Sequence, residues 1–395
     1  MTLRLGALLT HPVQYYSPWF RHLAGLADLK VYYAHQQTAE GQAKAGFSKA
    51  FDWDVPLLDG YDWRWLDNVA RRPGIDHLAG CDTPEIARII RQERFDAFLM
   101  MGWNRKCYLQ AGWAAFRTGT PLLMRTDSNL TSPRSALTLA IKRPLYSAIL
   151  PRAGHYLSPG RRTDDYLRHY ATPESRIHRV AHMIDVERFQ VGADQARRSG
   201  RTTALRGRHG AGEGDFVFLF AGKLIPKKRP MLLLEAFERA VASGAAGLRL
   251  WIAGDGPLRE ALEGRVRELG LPVSFLGFVN QSELADVYAA ADCLVLPSDT
   301  EETWGLVVNE AFACGVPAIV SAEAGCAPEL IEDGVTGWTM RTPEPGHLAD
   351  LLLTARAEAP GLSRARIDAL SEAGSYPAGS RRVLEIVERL KAERR

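Results

Sequence analysis

Short apolar runs separated by helix-like stretches recur along this chain, stop, and recur again; that alternation restricts its possible folds more than any other feature. Residues 3–9, 29–33, 95–101 and 121–124 read as buried strands, with amphipathic segments between most of them. Strands apolar on both faces and alternating with helices predict a parallel sheet covered by helices. One helix start is legible in detail: Thr83 is placed to cap a segment whose first helical residue is Pro84, before Glu85-Ile-Ala-Arg-Ile-Ile. From about 189 to 215 the pattern gives way to Gly, Arg, Ser, Thr and Ala without sustained apolar periodicity, as expected of an interdomain connection. A second series then begins at 216–220, 248–252, 293–296 and 318–320. The expected architecture is α/β, with two doubly wound Rossmann-like domains facing a central cleft. The boundaries read as a first domain at 1–188, a linker at 189–214, a second domain at 215–360, and carboxyl-terminal helices at 361–395 that pack back on the first domain.

At 395 residues the chain is longer than one core usually serves, and its 46% hydrophobic and 24% charged content suits two globular cores. A net charge of +3 is too small for a dedicated nucleic-acid binder. The five cysteines, Cys81, Cys107, Cys293, Cys314 and Cys326, show neither CxxC pairs nor zinc-type spacing, so no disulfide framework and no metal site is expected. That usage, with an apolar start that ends at His11-Pro12, fits a cytoplasmic protein. No apolar run approaches the roughly 20 residues that span a bilayer, so contact with the inner face of a membrane would be peripheral. The basic and apolar stretch from Arg134 to Arg152 suits such a surface, but its apolar positions suffice for a core face, and an ordinary packed helix interrupted at Pro144 is the expectation.

Two segments carry chemistry. The strand at 216–220 runs into Ala221-Gly222-Lys223-Leu-Ile-Pro-Lys227-Lys228, which sets lysines in a loop at a strand's carboxyl end, a suitable clamp for a departing diphosphate. Alone, such a loop is more often a solvated surface turn. Further on, Glu302 and Glu310 bracket Thr-Trp304-Gly305-Leu306-Val307-Val-Asn, with Gly305 opening a helix that stops at Gly315-Val-Pro317. A carboxylate in the preceding loop can accept bonds from sugar hydroxyls, one inside the helix can grip a ribose diol, and the amides of residues 304–307 can face a diphosphate. Isolated pairs of glutamates are more often an ordinary acidic helix start.

The order of segments changes that balance. Ala221-Gly-Lys-Leu-Ile-Pro-Lys-Lys228, Ala253-Gly-Asp-Gly-Pro-Leu258, Leu276-Gly-Phe-Val-Asn-Gln281, Ala291-Asp-Cys-Leu-Val-Leu-Pro-Ser298, the paired glutamates with Gly315-Val-Pro317, and Ala324-Gly-Cys-Ala-Pro-Glu-Leu-Ile331 follow one another as in a known family. The chain resembles the retaining GT-B glycosyltransferases of family four, clearly over about 154–340. The resemblance implies transfer of a hexose-type sugar from a nucleoside diphosphate sugar, with retention and without a metal or other cofactor. The acceptor hydroxyl belongs to a glycan, a lipid-linked molecule or a small molecule and is bound by the first domain. It implies that Gly222, Lys223 and Lys228 hold the diphosphate, Glu302 the transferred sugar and Glu310 the ribose, while Phe278 and Asn280 border the base. Lys223 replaces the family's arginine and cannot make its bidentate contact.

The first domain departs further. Thr10-His-Pro-Val-Gln-Tyr-Tyr-Ser-Pro18 stands in place of a glycine-rich loop, and Arg125-Thr-Asp-Ser-Asn129 where a histidine is usual. His11, Gln14, Arg125 and Asp127 are the acceptor-side candidates, each with a capping role as the alternative; Asp127 joins Glu302, Lys223 and Lys228 as a catalytic candidate. Asp52-Trp53-Asp54 matches a metal-binding DxD but is far upstream, where a surface loop is expected; nearby Tyr61, Trp63 and Trp65 suit an acceptor sugar or plain core. Gly254-Asp-Gly-Pro-Leu-Arg259 carries arginine where a dinucleotide fingerprint needs its third glycine, which disfavours dehydrogenase chemistry. A GT-B epimerase, a sugar phosphorylase and a non-catalytic sugar-nucleotide-binding subunit are the alternative functions.

Overall fold

A computed structural model of the chain describes residues 2–36, 53–131 and 134–394. They form two compact units. Of the described residues, unit 1 comprises 2–36, 56–131, 134–183 and 376–394, and unit 2 comprises 53–55 and 184–375.

Unit 1 is built on strands β1 (Arg4–Leu9), β2 (Asp28–Tyr33), β3 (Asp62–Trp65), β4 (Ala97–Met100), β5 (Leu122–Arg125), β6 (His155–Ser158) and β7 (Ile177–Arg179). They form one seven-stranded parallel sheet in the order β3-β2-β1-β4-β5-β6-β7. Leu8 of β1 stands opposite Tyr32 on one side and Met100 on the other. Leu8 and Phe98 serve the core on one face of this sheet, Leu9 and Leu99 the core on the other. Burial on both faces is why these runs are apolar without alternation. Trp19 of the helix Ser17–Ala24 is buried and donates its indole N–H to Ser380 Oγ, 3.0 Å away on the final helix Tyr376–Glu393.

Unit 2 repeats the plan with β8 (Phe216–Ala221), β9 (Leu248–Ala253), β10 (Val273–Gly277), β11 (Cys293–Leu296), β12 (Ala318–Ser321) and β13 (Gly337–Met340). The order is β10-β9-β8-β11-β12-β13, again all parallel. In both sheets the first strand of the unit sits inside, and the chain reverses its direction of travel beside it. Where the chain enters and leaves unit 2, Ile184 donates its backbone N–H to Gly374 O at 3.0 Å.

Several expectations need correction. Residues 189–214 are not an irregular linker: the helices Val186–Arg198 and Arg201–Arg208 occupy most of the stretch and cluster with unit 2. Asp185 caps the first of these by accepting from the Arg188 amide at 3.2 Å. The first buries only Val186, Phe189, Ala193 and Ala196 and the second buries no residue, so the pair carries little hydropathy signal. Thr83 does not cap with its side chain; the buried hydroxyl lacks a partner among the described residues, and its carbonyl accepts from Ile86 at 3.1 Å instead. Strand β3 was hidden in the aromatic region: Trp65 packs on Tyr33 with centroids 5.4 Å apart, and Tyr61 shares a 2.6 Å hydroxyl contact with Tyr33. All five cysteines are buried and free.

The largest difference concerns the helix Ala136–Ala153, expected to pack a core face. Of its eighteen residues only Leu150 is buried.

Candidate functional site

In a doubly wound sheet the loops leaving two neighbouring strands diverge where the order reverses, opening a crevice at the strands' carboxyl ends. In unit 2 that point lies between β8 and β11, and the chain there continues into Gly222-Lys223 on one side and Ser298 to Glu302 on the other. The sheet topology therefore collects two segments that are about eighty residues apart in sequence.

The loop after β8 has a shape set by glycines. Gly222 has φ +151° and Gly254 φ +152°, a region that L side chains rarely adopt. A Cβ on Gly254 would lie 1.8 Å from the Gly222 carbonyl oxygen, so only glycine lets the ends of β8 and β9 approach so closely. Leu224 then donates to Asp255 O at 2.9 Å, and a short 3₁₀ turn, Pro226–Lys228, follows. Arg229 ends this turn with φ +48°, a left-handed conformation costly for a side chain with a Cβ. Its guanidinium forms an ion pair with Glu323 at 2.5 Å.

Opposite, the Lys228 ammonium donates to Glu302 Oε2, with both side chains largely buried at 14% and 11% exposure. Such a pair is held in place because either charge alone would be costly to bury. Burial and the nearby charges of Lys227 and Lys228 push the Lys223 ammonium below its ordinary pKa. Lys223, Lys227 and Lys228 around one loop set ammonium groups where an anion can be held.

Glu302 is tied down from both sides: its amide donates to Asp299 O at 3.0 Å and its carbonyl accepts from Gly325 at 3.0 Å. Gly325 is another close approach, since a Cβ there would lie 1.8 Å from Thr303 O. Gly305, with φ +109°, turns the chain into the helix Leu306–Ala313, whose first-turn amides from Leu306 and Val307 belong to the free N-terminal set. Trp304 is buried and donates its indole N–H to Asn309 at 2.9 Å, which fixes that turn rather than presenting the ring to a ligand. Glu310 lies on the helix at 1% exposure, and Tyr288 donates its hydroxyl to Oε2 at 2.7 Å. Phe278 and Asn280 follow β10, two strands from β8; Phe278 lines a pocket of about 320 Å³ with Arg208, His209 and Asp286. The structure thus brings Gly222, Lys223, Lys228, Glu302 and Gly305 to one crevice, and sets Phe278 and Asn280 toward the sheet edge.

In unit 1 the acceptor-side candidates stand at strand ends. Arg125 closes β5 at 3% exposure and donates to the carbonyls of Val180 and Ala181, a bracing role; burial lowers its pKa against the opposing pull of Tyr16 and Asp127. Asp127 is half-buried in the loop that follows, and Gln14 half-buried before the helix Ser17–Ala24. His11 approaches Thr10 Oγ1 at 2.9 Å, and burial, with His35 nearby, lowers its pKa to about 4. His178, stacked on His155, is lowered to about 4 by burial and neighbouring positive charge. Both are neutral in the fold, while an unfolded histidine takes a proton near pH 6.5. Stability is therefore complete above pH 6.5 and falls as pH drops toward 4, by about 1.4 kcal/mol per pH unit for each histidine. Urea unfolding from pH 7.5 to 4.5 measures the slope, and His11→Asn and His178→Asn should each reduce it; an unchanged slope in both variants contradicts the assignment.

Of the rival motif, Asp52 lies outside the described residues, and Asp54 accepts from both the amide and hydroxyl of Ser282. Among the described residues no three His, Cys, Asp or Glu side chains cluster in a metal-holding group. Sequence reasoning missed Arg229, Glu323 and Tyr288, which brace Lys228 and Glu310; only the adjacency of Arg229 to the lysines hinted at any of them.

Residues 202–367 match the family model described as glycosyl transferases group 1. The D-inositol 3-phosphate glycosyltransferase of Mycobacterium leprae (strain Br4923) is 33% identical over 284 residues, covering 65% of this chain and 61% of the relative. That of Mycobacterium tuberculosis (strain F11) is 36% identical over 203 residues, 48% of this chain and 39% of the relative. The chain thus matches about three fifths or less of the length of these relatives. Among solved structures, a glycosyltransferase from Rickettsia africae ESF-5 superposes with a TM-score of 0.74 at 14% identity, over 98% of each chain. Anabaena HepE in complex with UDP gives 0.70 at 17% identity, over 98% of this chain and 100% of that one. What is shared at these identities is the GT-B fold.

Proposed function

We propose that this chain, whose residues 202–367 belong to the glycosyl transferases group 1 family, moves a hexose-type sugar from a nucleoside diphosphate sugar to an acceptor hydroxyl with retention of anomeric configuration. The observation that carries this reading is the buried Lys228–Glu302 pair at the strand-order reversal of unit 2, beside the desolvated Lys223. When the donor's diphosphate arrives, Lys228 and Lys223 take it as a common counter-anion, and Glu302 is released toward the sugar hydroxyls. The bond between the anomeric carbon and the diphosphate oxygen breaks as the acceptor oxygen bonds to that carbon on the same face. The acceptor's proton passes to the departing phosphate oxygen. Charge growing on that phosphate meets two ammonium groups and the amino end of the helix Leu306–Ala313, so the transfer needs no resident metal.

HepE has been solved with UDP-glucose, which puts UDP-sugars first among donors to screen, ahead of GDP- and ADP-sugars. The relatives' D-inositol 3-phosphate adds a phosphorylated polyol to glycans and lipid-linked sugars as acceptors to test. Binding of each nucleotide sugar is measured by calorimetry in EDTA with the native chain and Lys228→Ala. Loss of a charge-assisted contact should weaken the preferred donor roughly 10- to 100-fold. Equal affinity in the variant would remove Lys228 from the diphosphate clamp. Conversion of donor without acceptor would instead identify an epimerase.

A further inference from the structure

Residues 102–153 contain eight lysines and arginines and one acid, Asp127, a net +7 in a chain whose total is +3. The remainder therefore carries a net −4. Two helices of this basic stretch, Lys106–Thr118 and Ala136–Ala153, leave large apolar side chains in solvent. Trp113 is 62% and Phe116 70% exposed on the first, Leu137 72% and Ile141 61% on the second. Between the helices lies a pocket of about 400 Å³ whose walls include Trp103, Leu109, Trp113, Phe116 and Ile149, with Arg152 the one charged residue among those lining it. Tyr108 and Leu150 reach the core, while Trp113, Phe116, Leu137 and Ile141 are turned outward, next to positive charge. Arg117 lies over the Trp113 ring at 6.0 Å, and Arg134 and Arg143 are exposed. Lys142, by contrast, is held over the rings of Tyr146 and Tyr166, 4.8 and 5.0 Å away.

A contiguous apolar patch rimmed by cations is a binding surface, and its chemistry selects the partner. We propose that this face seats unit 1 on an anionic lipid bilayer, with Trp113, Phe116, Leu137 and Ile141 entering the headgroup boundary and the pocket between the helices receiving an acyl chain. Rings beside basic side chains are the combination favoured at that boundary. A second copy docked through the same patch would set the exposed Arg117, Arg134, Arg143 and Arg152 against the same residues of its partner, which charge repulsion disfavours. No described helix is long and apolar enough to cross the membrane, so the seat is interfacial. The inference stands on unit 1 and is independent of the donor assigned above.

The test is flotation of the full chain with phosphatidylcholine vesicles, with and without phosphatidylglycerol. Partitioning is expected only with the anionic lipid, weakening as salt rises. Arg134→Glu with Arg143→Glu, and separately Trp113→Ser with Phe116→Ser, should each lower it by about tenfold or more. Arg134→Lys with Arg143→Lys should retain it, and an unchanged thermal unfolding profile shows that the variants fold. Equal partitioning to both vesicle types, or undiminished partitioning in both loss variants, overturns the proposal. So does a dimer, detected by sedimentation, that Trp113→Ser with Phe116→Ser dissolves.

Discussion

Glu302→Ala is expected to lower kcat by roughly 10²- to 10³-fold while nucleoside diphosphate affinity is held or improved. The reasoning follows from the pair it forms. Without donor, the carboxylate of Glu302 neutralises Lys228 in a largely buried setting. Its removal leaves two cations facing the crevice, a better trap for a diphosphate, but takes away the group placed to orient the sugar. A fall in kcat with little rise in donor KM is thus the signature, and Glu302→Gln should recover only part of the rate because the amide keeps shape without charge. Steady-state kinetics with the donor selected by the binding screen measures the split. Unchanged kcat in Glu302→Ala would end the assignment of Glu302 to the sugar; a matched loss of kcat and nucleotide affinity would show that it serves only to position Lys228.

Gly254→Ala should be the most damaging single methyl group in unit 2. Its Cβ would lie 1.8 Å from the Gly222 carbonyl oxygen, at a φ of +152° that alanine rarely adopts. Neither neighbour can yield cheaply: Gly254 donates to Gly277 O at 2.7 Å and Gly222 to Ala253 O at 2.9 Å, so both are lashed into the sheet edge. Strain and clash together should cost roughly 3 kcal/mol or more, lowering Tm by about 6–12 °C. Because Gly222 opens the loop that carries Lys223 and Lys228, donor affinity should fall as well. The contrasting substitution is Gly264→Ala, inside the helix Arg259–Leu269, where an added Cβ meets nothing within 4 Å. It should stabilise by about 0.5–1 kcal/mol. If calorimetry gave both variants the same Tm, the close-approach account of Gly254 would be wrong.

The donor-side segments were legible because each combines a strand pattern with a loop whose residue types are dictated by backbone geometry. Gly222 and Gly254 both adopt positive φ, and a glycine at the end of an apolar run is a signal that survives in one sequence. Strands β6, β7, β10 and β13 are not legible in the sequence, being three to five residues long and flanked by residues that mask their period. The helix Val186–Arg198 is hard to read because it buries only Val186, Phe189, Ala193 and Ala196 among many polar residues, which raises local hydropathy little. The motif suggests the amide of Trp304 as a donor contact but says nothing of its ring, which braces Asn309; side-chain direction cannot be read from a motif.

The sequence by itself determined that there would be two α/β units, since the apolar runs and helix-like stretches alternate twice and hydrophobic periodicity is a local property. It also determined which lysines and glutamates could serve an anion and a sugar. The tertiary structure alone decided that Lys228 would meet Glu302, because a contact across seventy-four positions is made by strand order, and no local pattern encodes that β8 lies beside β11. It decided too that Ala136–Ala153 would stay uncovered. An apolar helix has the same sequence whether protein or lipid covers it, and only the packing of its neighbours tells the two apart.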